Sequence, residues 1–346
     1  MLDRRFPVDR CHPIRGKFRA EPGPCPRADR GKTDMPSFKS HLFAFVLKHT
    51  RKKSFASVAG MHARLKAARA TEDFRPPHKI AQRIDIAERA VDGMTVYEVR
   101  PKAGATGPRI VYLHGGAYLF EITAHHWKLI AEIAERLSAQ VTVPIYPLAP
   151  EAKAERIIGA CMALHRDVLS QTAPDNLVLM GDSAGGNMAL VVSMTAAREG
   201  LPRPAGLLLI SPAVDLSLAN PDIRVVEKRD PWLGVPGAEE ATRLYADGID
   251  HADWRISPLY GDLSVLSPVL VLTGTRDLLN PDTHVFAARA RAVGVPVEIL
   301  EEPGLFHVWP LLDMPEAFRA RDRMVDFIRR IASTSAGTSQ AQTGAG

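Results

Sequence analysis

Cysteine is scarce in this chain of 346 residues. There are three, and two of them, Cys11 and Cys25, lie in a stretch rich in proline and arginine. So few cysteines argue against a secreted domain held together by disulfides. The third, Cys161, lies in an apolar helical pattern, which predicts a buried structural thiol.

Long apolar runs are missing near the N-terminus. Residues 1–34 contain no run of signal-peptide length, and the stretch from Leu42 to Leu47 is too short to span a bilayer. We therefore expect a soluble, cytoplasmic protein. Residues 1–34 are predicted to be a disordered basic leader, and residues 334–346, rich in small and polar side chains, a disordered tail.

Acidic residues are sparse in the first part of the chain, where residues 1–70 carry 17 Lys and Arg against 5 Asp and Glu. That segment has a charge of +12, and since the whole chain is +5, residues 71–346 carry −7. A basic segment on an acidic body argues against a nucleic-acid enzyme. The basic face over residues 48–69 indicates either contact with an anionic membrane or a solvated helix face, and we prefer the solvated face.

What the sequence does contain, from about residue 80 onward, is an alternation of short apolar runs with longer amphipathic ones. In a chain with 46% hydrophobic residues, this alternation predicts one large α/β domain with a mostly parallel sheet flanked by helices. The first two strands are expected to pair as an antiparallel hairpin. The predicted strands are 82–88, 94–101, 109–114, 140–145, 176–181, 206–211, 268–274 and 296–301. The predicted helices are 125–138, 152–171, 185–199, 282–293 and 316–332.

Two stretches do not follow the alternation. Residues 35–75 are interpreted as two short helices before the sheet, and residues 215–260 as a long excursion between two strands. Both are predicted to form a helical cap that excludes water from a site, while residues 76–214 and 261–333 form the core. The alternative is a pair of peripheral insertions.

A glycine-flanked serine follows one of the predicted strands, in the segment Gly181-Asp182-Ser183-Ala184-Gly185-Gly186. Between a strand and a helix, the G-x-S-x-G pattern is typical of a strained turn that exposes the serine and leaves no room for flanking side chains. Ser183 is therefore the predicted nucleophile. A phosphate loop is the competing interpretation, but neither G-x-G-x-x-G nor a Gly-Lys-Ser/Thr ending is present.

A serine hydroxyl needs a base, and the base needs a group that orients it. Three histidines follow the serine: His251, His284 and His307. His307 lies between the last predicted strand and the last helix, which is where we expect the base. His251 and His284 are interpreted as surface or capping residues.

The orienting acid is predicted to be Asp277, because it follows a buried strand and would lie at the carboxyl edge of the sheet. Asp282, Glu301 and Glu302 are the rivals. Asp282 is typical of a helix N-terminus after proline, and the two glutamates precede the loop of the base.

Two glycines, Gly115 and Gly116, follow another predicted strand and His114. Successive glycines can direct backbone N–H groups at one point, so these two and Ala184 are predicted to form an oxyanion hole. His114 is interpreted as a structural hydrogen-bonding residue and not as a base.

Taken in order, these motifs resemble the hormone-sensitive-lipase-like esterases of the α/β-hydrolase fold. The resemblance spans residues 80–330 and rests on His114-Gly115-Gly116-Ala117, Tyr146-Pro147-Leu148-Ala149-Pro150-Glu151, Gly181-Asp182-Ser183-Ala184-Gly185-Gly186, Ser211-Pro212, Gly274-Thr275-Arg276-Asp277 and Phe306-His307-Val308-Trp309. It implies an eight-stranded sheet, a helical cap, no metal and no cofactor, and a Ser-His-Asp triad that hydrolyses short acyl esters. It also implies that Glu151 supports the oxyanion loop. Ala117 departs from the family, where many members have a third glycine, and is expected to narrow the pocket slightly.

The substrate is less well defined by the sequence. The predicted binding residues are Tyr118, Asp182, Trp232, Leu233 and Tyr245, for a small-molecule ester. A lactone hydrolase with the same triad is the nearest alternative, and a non-catalytic ligand receptor on the same scaffold is another. A homodimer is left open.

Overall fold

The computed structural model describes residues 35–342, with the surroundings of side chains described as far as Ala332. The predicted leader, residues 1–34, lies outside this range, as do residues 343–346. Within the described range, no helix combines the length and the apolar character needed to cross a membrane.

A single eight-stranded sheet forms the centre of the molecule, with the strand order β1-β2-β4-β3-β5-β6-β7-β8. β1 pairs antiparallel with β2 and β2 with β4, and all the other pairs are parallel. The sequence-based prediction of a leading hairpin and a mostly parallel sheet is thus confirmed. The strands are β1 Asp85–Val91, β2 Met94–Arg100, β3 Arg109–Leu113, β4 Gln140–Pro144, β5 Leu177–Asp182, β6 Gly206–Ile210, β7 Val269–Gly274 and β8 Val297–Glu302.

Helices cover both faces of the sheet, and this explains why the central strands are apolar without alternation. On β6, for example, Leu207 and Leu209 pack into the hydrophobic cluster on one face and Leu208 and Ile210 into the cluster on the other. The helices are α1 Phe38–His49, α2 Arg51–Phe55, α3 Val58–Thr71, α4 His78–Ala81, α5 Ala124–Leu137, α6 Ala154–Leu169, α7 Ala184–Arg198, α8 Asp222–Glu227, α9 Val235–Ala246, α10 Asn280–Ala292 and α11 Pro315–Gln342.

Two helical predictions differ from the structure. Residues 35–75 form three helices, α1 to α3, and not two, because the chain turns at Thr50 and again at Ser57. The last helix, α11, continues to Gln342, through most of the segment predicted as a disordered tail. That segment contains no proline to stop the helix.

The segments outside the alternation pack against each other. Both α2 and α3 contact α9, and the approach is close, since a Cβ atom at Gly237 would lie 2.5 Å from the Cα atom of Phe55. Lys52 adds a polar tie by donating to the carbonyl oxygens of Glu227, at 3.0 Å, and Leu233. We call α1 to α3 together with residues 215–260 the helical layer.

Candidate active site

The turn between β5 and α7 holds Ser183 in a backbone conformation that L-residues rarely adopt, with φ 52° and ψ −118°. The glycines around it are required by close contacts. A Cβ atom at Gly185 would lie 1.9 Å from the carbonyl oxygen of Leu113, and one at Gly181 would lie 2.4 Å from the carbonyl oxygen of Gly185. The tight packing of this turn presents the serine side chain at the carboxyl edge of the sheet.

Two further loops bring an imidazole and a carboxylate to this serine. The Nε2 atom of His307 lies 2.9 Å from the Oγ atom of Ser183, across 124 positions of sequence. Its Nδ1 atom lies 3.1 and 3.2 Å from the two carboxylate oxygens of Asp277. The structure thus brings together the three residues that the sequence singled out as nucleophile, base and acid.

Each loop has its own anchor. The N–H group of Val308, next to His307, donates to the hydroxyl of Ser211 at 3.0 Å. After β7, Asp277 Oδ1 also accepts from the N–H group of Leu279 at 3.0 Å. His307 is 4% exposed and Asp277 is fully buried, so the hydrogen bond between them is shielded from water.

The pKa of His307 is raised above its ordinary value by the balance of opposing influences. Burial is the largest and lowers this pKa, but the charge of Asp277, its hydrogen bond to the ring and the charges of Asp230 and Asp182 together outweigh it. The site therefore favours the protonated imidazole more than water does, and this is the state that a general base reaches after it takes a proton from serine.

One of the three N–H groups predicted to form an oxyanion hole is already hydrogen-bonded. The N–H group of Gly115 donates to Asp182 Oδ1 at 2.9 Å in a buried bond, so it is not available to a ligand. Within residues 35–342, the N–H groups of Gly116 and Ala117 donate to no protein acceptor, and both residues line the cavity. Ala184 opens α7, where the first N–H groups have no acceptor within the helix. Gly116, Ala117 and Ala184 are the donors that this arrangement leaves free.

Asp182 supports this loop and does not face a ligand with a free oxygen. Its carboxylate accepts from Gly115 N–H, from the hydroxyl of Tyr112 at 2.7 Å, and lies 3.2 Å from His126 Nε2. Burial on its own would raise its pKa, but these partners hold it below its usual value. Asp182 lines the cavity as predicted, while its carboxylate is used to fix the loop after β3.

His114 lies beneath the same loop. Its ring stacks on Tyr146 at a centroid distance of 4.3 Å, and its Nδ1 atom lies 2.7 Å from the carbonyl oxygen of Gly115. Burial, and then the neighbouring His126, lower its pKa to about 4. A neutral, fully buried imidazole fits the predicted structural role.

A cavity of about 180 Å³ opens above Ser183. The predicted substrate residues Tyr118, Trp232 and Leu233 line it, and the indole of Trp232 meets the imidazole of His307 edge-on at 5.8 Å. Tyr245 does not line the cavity. It is fully buried and stacks on Tyr118 at a centroid distance of 3.8 Å, so its ring supports the wall from behind instead of facing the cavity as predicted.

The sequence analysis missed Asp230, a carboxylate that is 3% exposed. It accepts from the N–H groups of Trp232 at 2.6 Å and Leu233 at 2.9 Å, and from Leu278 N–H at 2.7 Å. It therefore connects the cavity wall to the residue that follows Asp277. The signal in the sequence was the Asp-Pro-Trp turn, because aspartate commonly accepts from the N–H group two residues later.

Two other residues considered in the sequence analysis, Glu151 and His284, are held in ion pairs. Glu151 forms an ion pair with Arg69 at 2.9 Å, and Arg69 also donates to the carbonyl oxygen of Leu119 on the oxyanion loop. His284 is paired with Glu301 at 2.6 Å and does not line the cavity. Among the described residues, no cluster of three or more His, Cys, Asp or Glu side chains is arranged to hold a metal ion.

Proteins with related sequences include several hydrolases. A family model described as the α/β hydrolase fold matches residues 110–311. An esterase of Acinetobacter venetianus is 31% identical over 239 residues, which cover 68% of this chain and 78% of that protein. An acetyl-hydrolase of Streptomyces hygroscopicus is 31% identical over 236 residues, covering 67% of this chain and 79% of the relative.

Solved structures agree with these relatives. The crystal structure of EstE5 soaked with p-nitrophenyl butyrate superposes with a TM-score of 0.76 at 27% identity, covering 86% of this chain and 99% of EstE5. A hormone-sensitive lipase from a metagenome library gives a TM-score of 0.74 at 28% identity, covering 86% of this chain and all of that one. The chain belongs to the α/β-hydrolase fold family and, within it, to the hormone-sensitive-lipase-like group of carboxylic ester hydrolases.

Proposed function

We propose that this protein is a carboxylesterase that hydrolyses short-chain acyl esters through an acyl-enzyme on Ser183. The observation that carries the proposal is the chain of two hydrogen bonds from Ser183 Oγ through His307 to Asp277, on the floor of a cavity. Such a chain lets a weakly acidic hydroxyl attack a carbonyl carbon.

In the proposed cycle, Ser183 Oγ bonds to the ester carbonyl carbon while His307 Nε2 takes its proton. Asp277 stabilises the imidazolium and holds the proton on Nδ1. The carbonyl oxygen becomes an oxyanion that accepts from the N–H groups of Gly116, Ala117 and Ala184. His307 then protonates the leaving alcohol, and a water molecule activated by His307 releases the carboxylic acid and regenerates the serine.

The helical layer is proposed to act as a cap over this chemistry. Side chains from both of its parts line the same cavity: Phe55 of α2, Leu233 of the loop before α9, and Ala241 of α9. A cavity of about 180 Å³ with an apolar wall suits an acyl chain of a few carbons and excludes water from the oxyanion. The butyrate ester in the EstE5 crystal belongs to the same class of compound.

The test is a panel of p-nitrophenyl esters from acetate to palmitate, with several lactones measured beside them. We expect the highest kcat/KM for the shortest chains and a decline toward palmitate, because long chains exceed the cavity. A maximum at long chains would refute the short-chain proposal, and a preference for lactones would assign the same residues to cyclic esters.

Labelling with a fluorophosphonate separates an enzyme from a ligand receptor. A working Ser-His pair makes Ser183 nucleophilic, so the wild-type protein is expected to be labelled stoichiometrically and a Ser183→Ala protein not at all. An unlabelled wild-type protein that hydrolyses none of the panel would overturn the proposed function.

A further inference from the structure

The first helix of the described chain turns an apolar face toward solvent. Large side chains lie there at helical spacing, and their exposed fractions are Phe38 82%, Leu42 52%, Phe45 63% and Val46 47%. We call these four residues the α1 stripe. Met35, just before the helix, is 88% exposed. A run of exposed large hydrophobic residues in one element marks a surface that something covers.

The orientation of α1 is fixed by its opposite face. Ser40, Ala44 and Leu47 are buried against the body of the protein. At the start of the helix, Ser37 donates through both its N–H group, at 2.6 Å, and its hydroxyl, at 3.0 Å, to the buried carboxylate of Glu316 on α11. The helix cannot turn its stripe inward without losing these contacts, so the stripe remains directed at solvent.

The charged residues of the segment that carries the stripe are all basic. From Met35 to Thr71 the sequence contains eight Lys and Arg and no Asp or Glu. Lys39 and Lys48 fall on opposite flanks of the stripe at 100° per residue. An apolar stripe between lysines, in a segment with no acidic residue, has the composition of a helix that lies in the interface of an anionic lipid surface.

We propose that α1 is an interfacial helix that docks this protein on an anionic lipid surface, with the α1 stripe in the acyl region and Lys39 and Lys48 at the headgroups. The charge also argues against other occupants. Residues 1–34 carry nine Lys and Arg against five Asp and Glu, so their net charge has the same sign as that of this segment, and a second copy would bring the same positive charge.

Docking would place the candidate site close to the lipid. The chain passes from α1 through Thr50 directly into α2, whose Arg51 and Phe55 line the cavity above Ser183. Esters that partition into a lipid surface would then reach the cavity from that side. The docking itself does not depend on the proposed esterase activity, and it is measured without a substrate.

The experiment uses the full-length protein and vesicles of phosphatidylcholine, with and without phosphatidylglycerol, sedimented at low and at high salt. The wild-type protein is expected to sediment with the anionic vesicles at low salt and to be released by high salt. The double variant Phe38→Glu/Phe45→Glu should bind anionic vesicles at least about tenfold more weakly than the wild type, because it places charges in the acyl region. The double variant Lys39→Glu/Lys48→Glu should bind more weakly to vesicles that contain phosphatidylglycerol, and its binding to vesicles of phosphatidylcholine only should not change.

The matched control is Val293→Glu, a residue 51% exposed after the end of α10, which should bind vesicles like the wild type. All variants should keep the wild-type circular dichroism spectrum and melting temperature, and the same turnover of a water-soluble ester, since neither Phe38 nor Phe45 lines the cavity.

Three results would overturn the proposal. The first is a wild-type protein that does not sediment with anionic vesicles. The second is a Phe38→Glu/Phe45→Glu protein that binds like the wild type, which would assign the binding to residues 1–34. The third is a concentration-dependent dimer in light scattering that the double variant abolishes while no vesicle binding occurs, which would make the α1 stripe an interface between copies.

Discussion

The two sides of the cavity are built in different ways. On the sheet side, backbone contacts are so close that glycine is required, as at Gly274, where a Cβ atom would lie 2.4 Å from the carbonyl oxygen of Leu305 in the loop of His307. On the side of the helical layer, apolar walls such as Trp232 and Leu233 come from a loop held by a few polar ties. The difference suggests that the sheet edge sets the chemistry and the helical layer sets which ester enters.

One carboxylate joins the two sides. Asp230 accepts from Trp232 and Leu233 on the wall and from Leu278, next to Asp277. Its charge also contributes to the raised pKa of His307. A change at Asp230 should therefore affect both sides, whereas a change on the sheet edge should affect the chemistry alone. The predictions below test this division.

The largest effect is expected from Ser183→Ala, which removes the nucleophile. kcat for a p-nitrophenyl ester should fall by roughly 10⁴ to 10⁶, as it does when a serine hydrolase loses its nucleophile. The matched control is Ser193→Ala on the same helix, a buried serine whose hydroxyl has no hydrogen-bond partner in the described part of the chain. Near-normal turnover by the Ser183→Ala protein would remove Ser183 from the mechanism.

Asp277→Asn should follow, with kcat lower by about 10⁴, because an amide facing Nδ1 favours the wrong tautomer of His307. Asp282→Asn is the control, since Asp282 is also buried, with a pKa that burial raises to about 6, but bonds to Asn220 and not to His307. The measurement is kcat of both proteins by steady-state kinetics, and only the Asp277→Asn protein should show the large loss. Equal losses in the two would leave the acid unassigned.

The sheet side could be predicted from the sequence because its signals are local. The buried runs, the glycines around Ser183 and the strand ends at Asp277 and His307 each follow from a few consecutive residues. Gly115 and Asp230 could not be assigned in the same way. The N–H group of Gly115 is engaged by Asp182, which is 67 residues away, and Asp230 reaches Leu278 across 48 residues. Such contacts exist only after the sheet has formed.

The helical layer was harder to predict for a related reason. An aromatic residue there contacts either a ligand or another element, and the sequence pattern is the same in both cases. Tyr245 of α9 stacks behind Tyr118 of the loop after β3, and Tyr118 lines the cavity, although both rings are fully buried. The exposure of the α1 stripe could not be predicted from the sequence either, since an apolar helix face is normally buried and only the packing shows which face is covered.

The pH dependence tests the sheet side without a mutation. A base must be neutral to accept the serine proton, and the pKa of His307 is raised, so it remains protonated to a higher pH than a free histidine. We expect the acid limb of kcat/KM to have its midpoint above about 6.5, with a loss of roughly tenfold per pH unit below it. A profile that is flat between pH 5 and 8 would argue against His307 as the base.

The smallest effect, and the one that joins the two sides, is expected from Asp230→Asn. An amide cannot accept from all three N–H groups, and a lost hydrogen bond to a charged group costs about 1.5–3 kcal/mol of folding stability. Only the part of this loss that displaces the cavity wall affects the reaction, so kcat/KM should fall by at most about tenfold. Burial, and then Asp277, raise the pKa of Asp230 to about 6, and the charge of its carboxylate helps to raise the pKa of His307.

Removing that charge should move the acid limb to lower pH, a shift that a loosened wall on its own would not produce. It should also flatten the preference for short chains, because Trp232 and Leu233 lose their anchor. Asp215→Asn is the control, since this buried carboxylate accepts from Ser217 and Tyr260 and does not line the cavity. If the acid limb of the Asp230→Asn protein has the same midpoint as that of the wild type, Asp230 only holds the cavity wall in place and does not influence the pKa of His307.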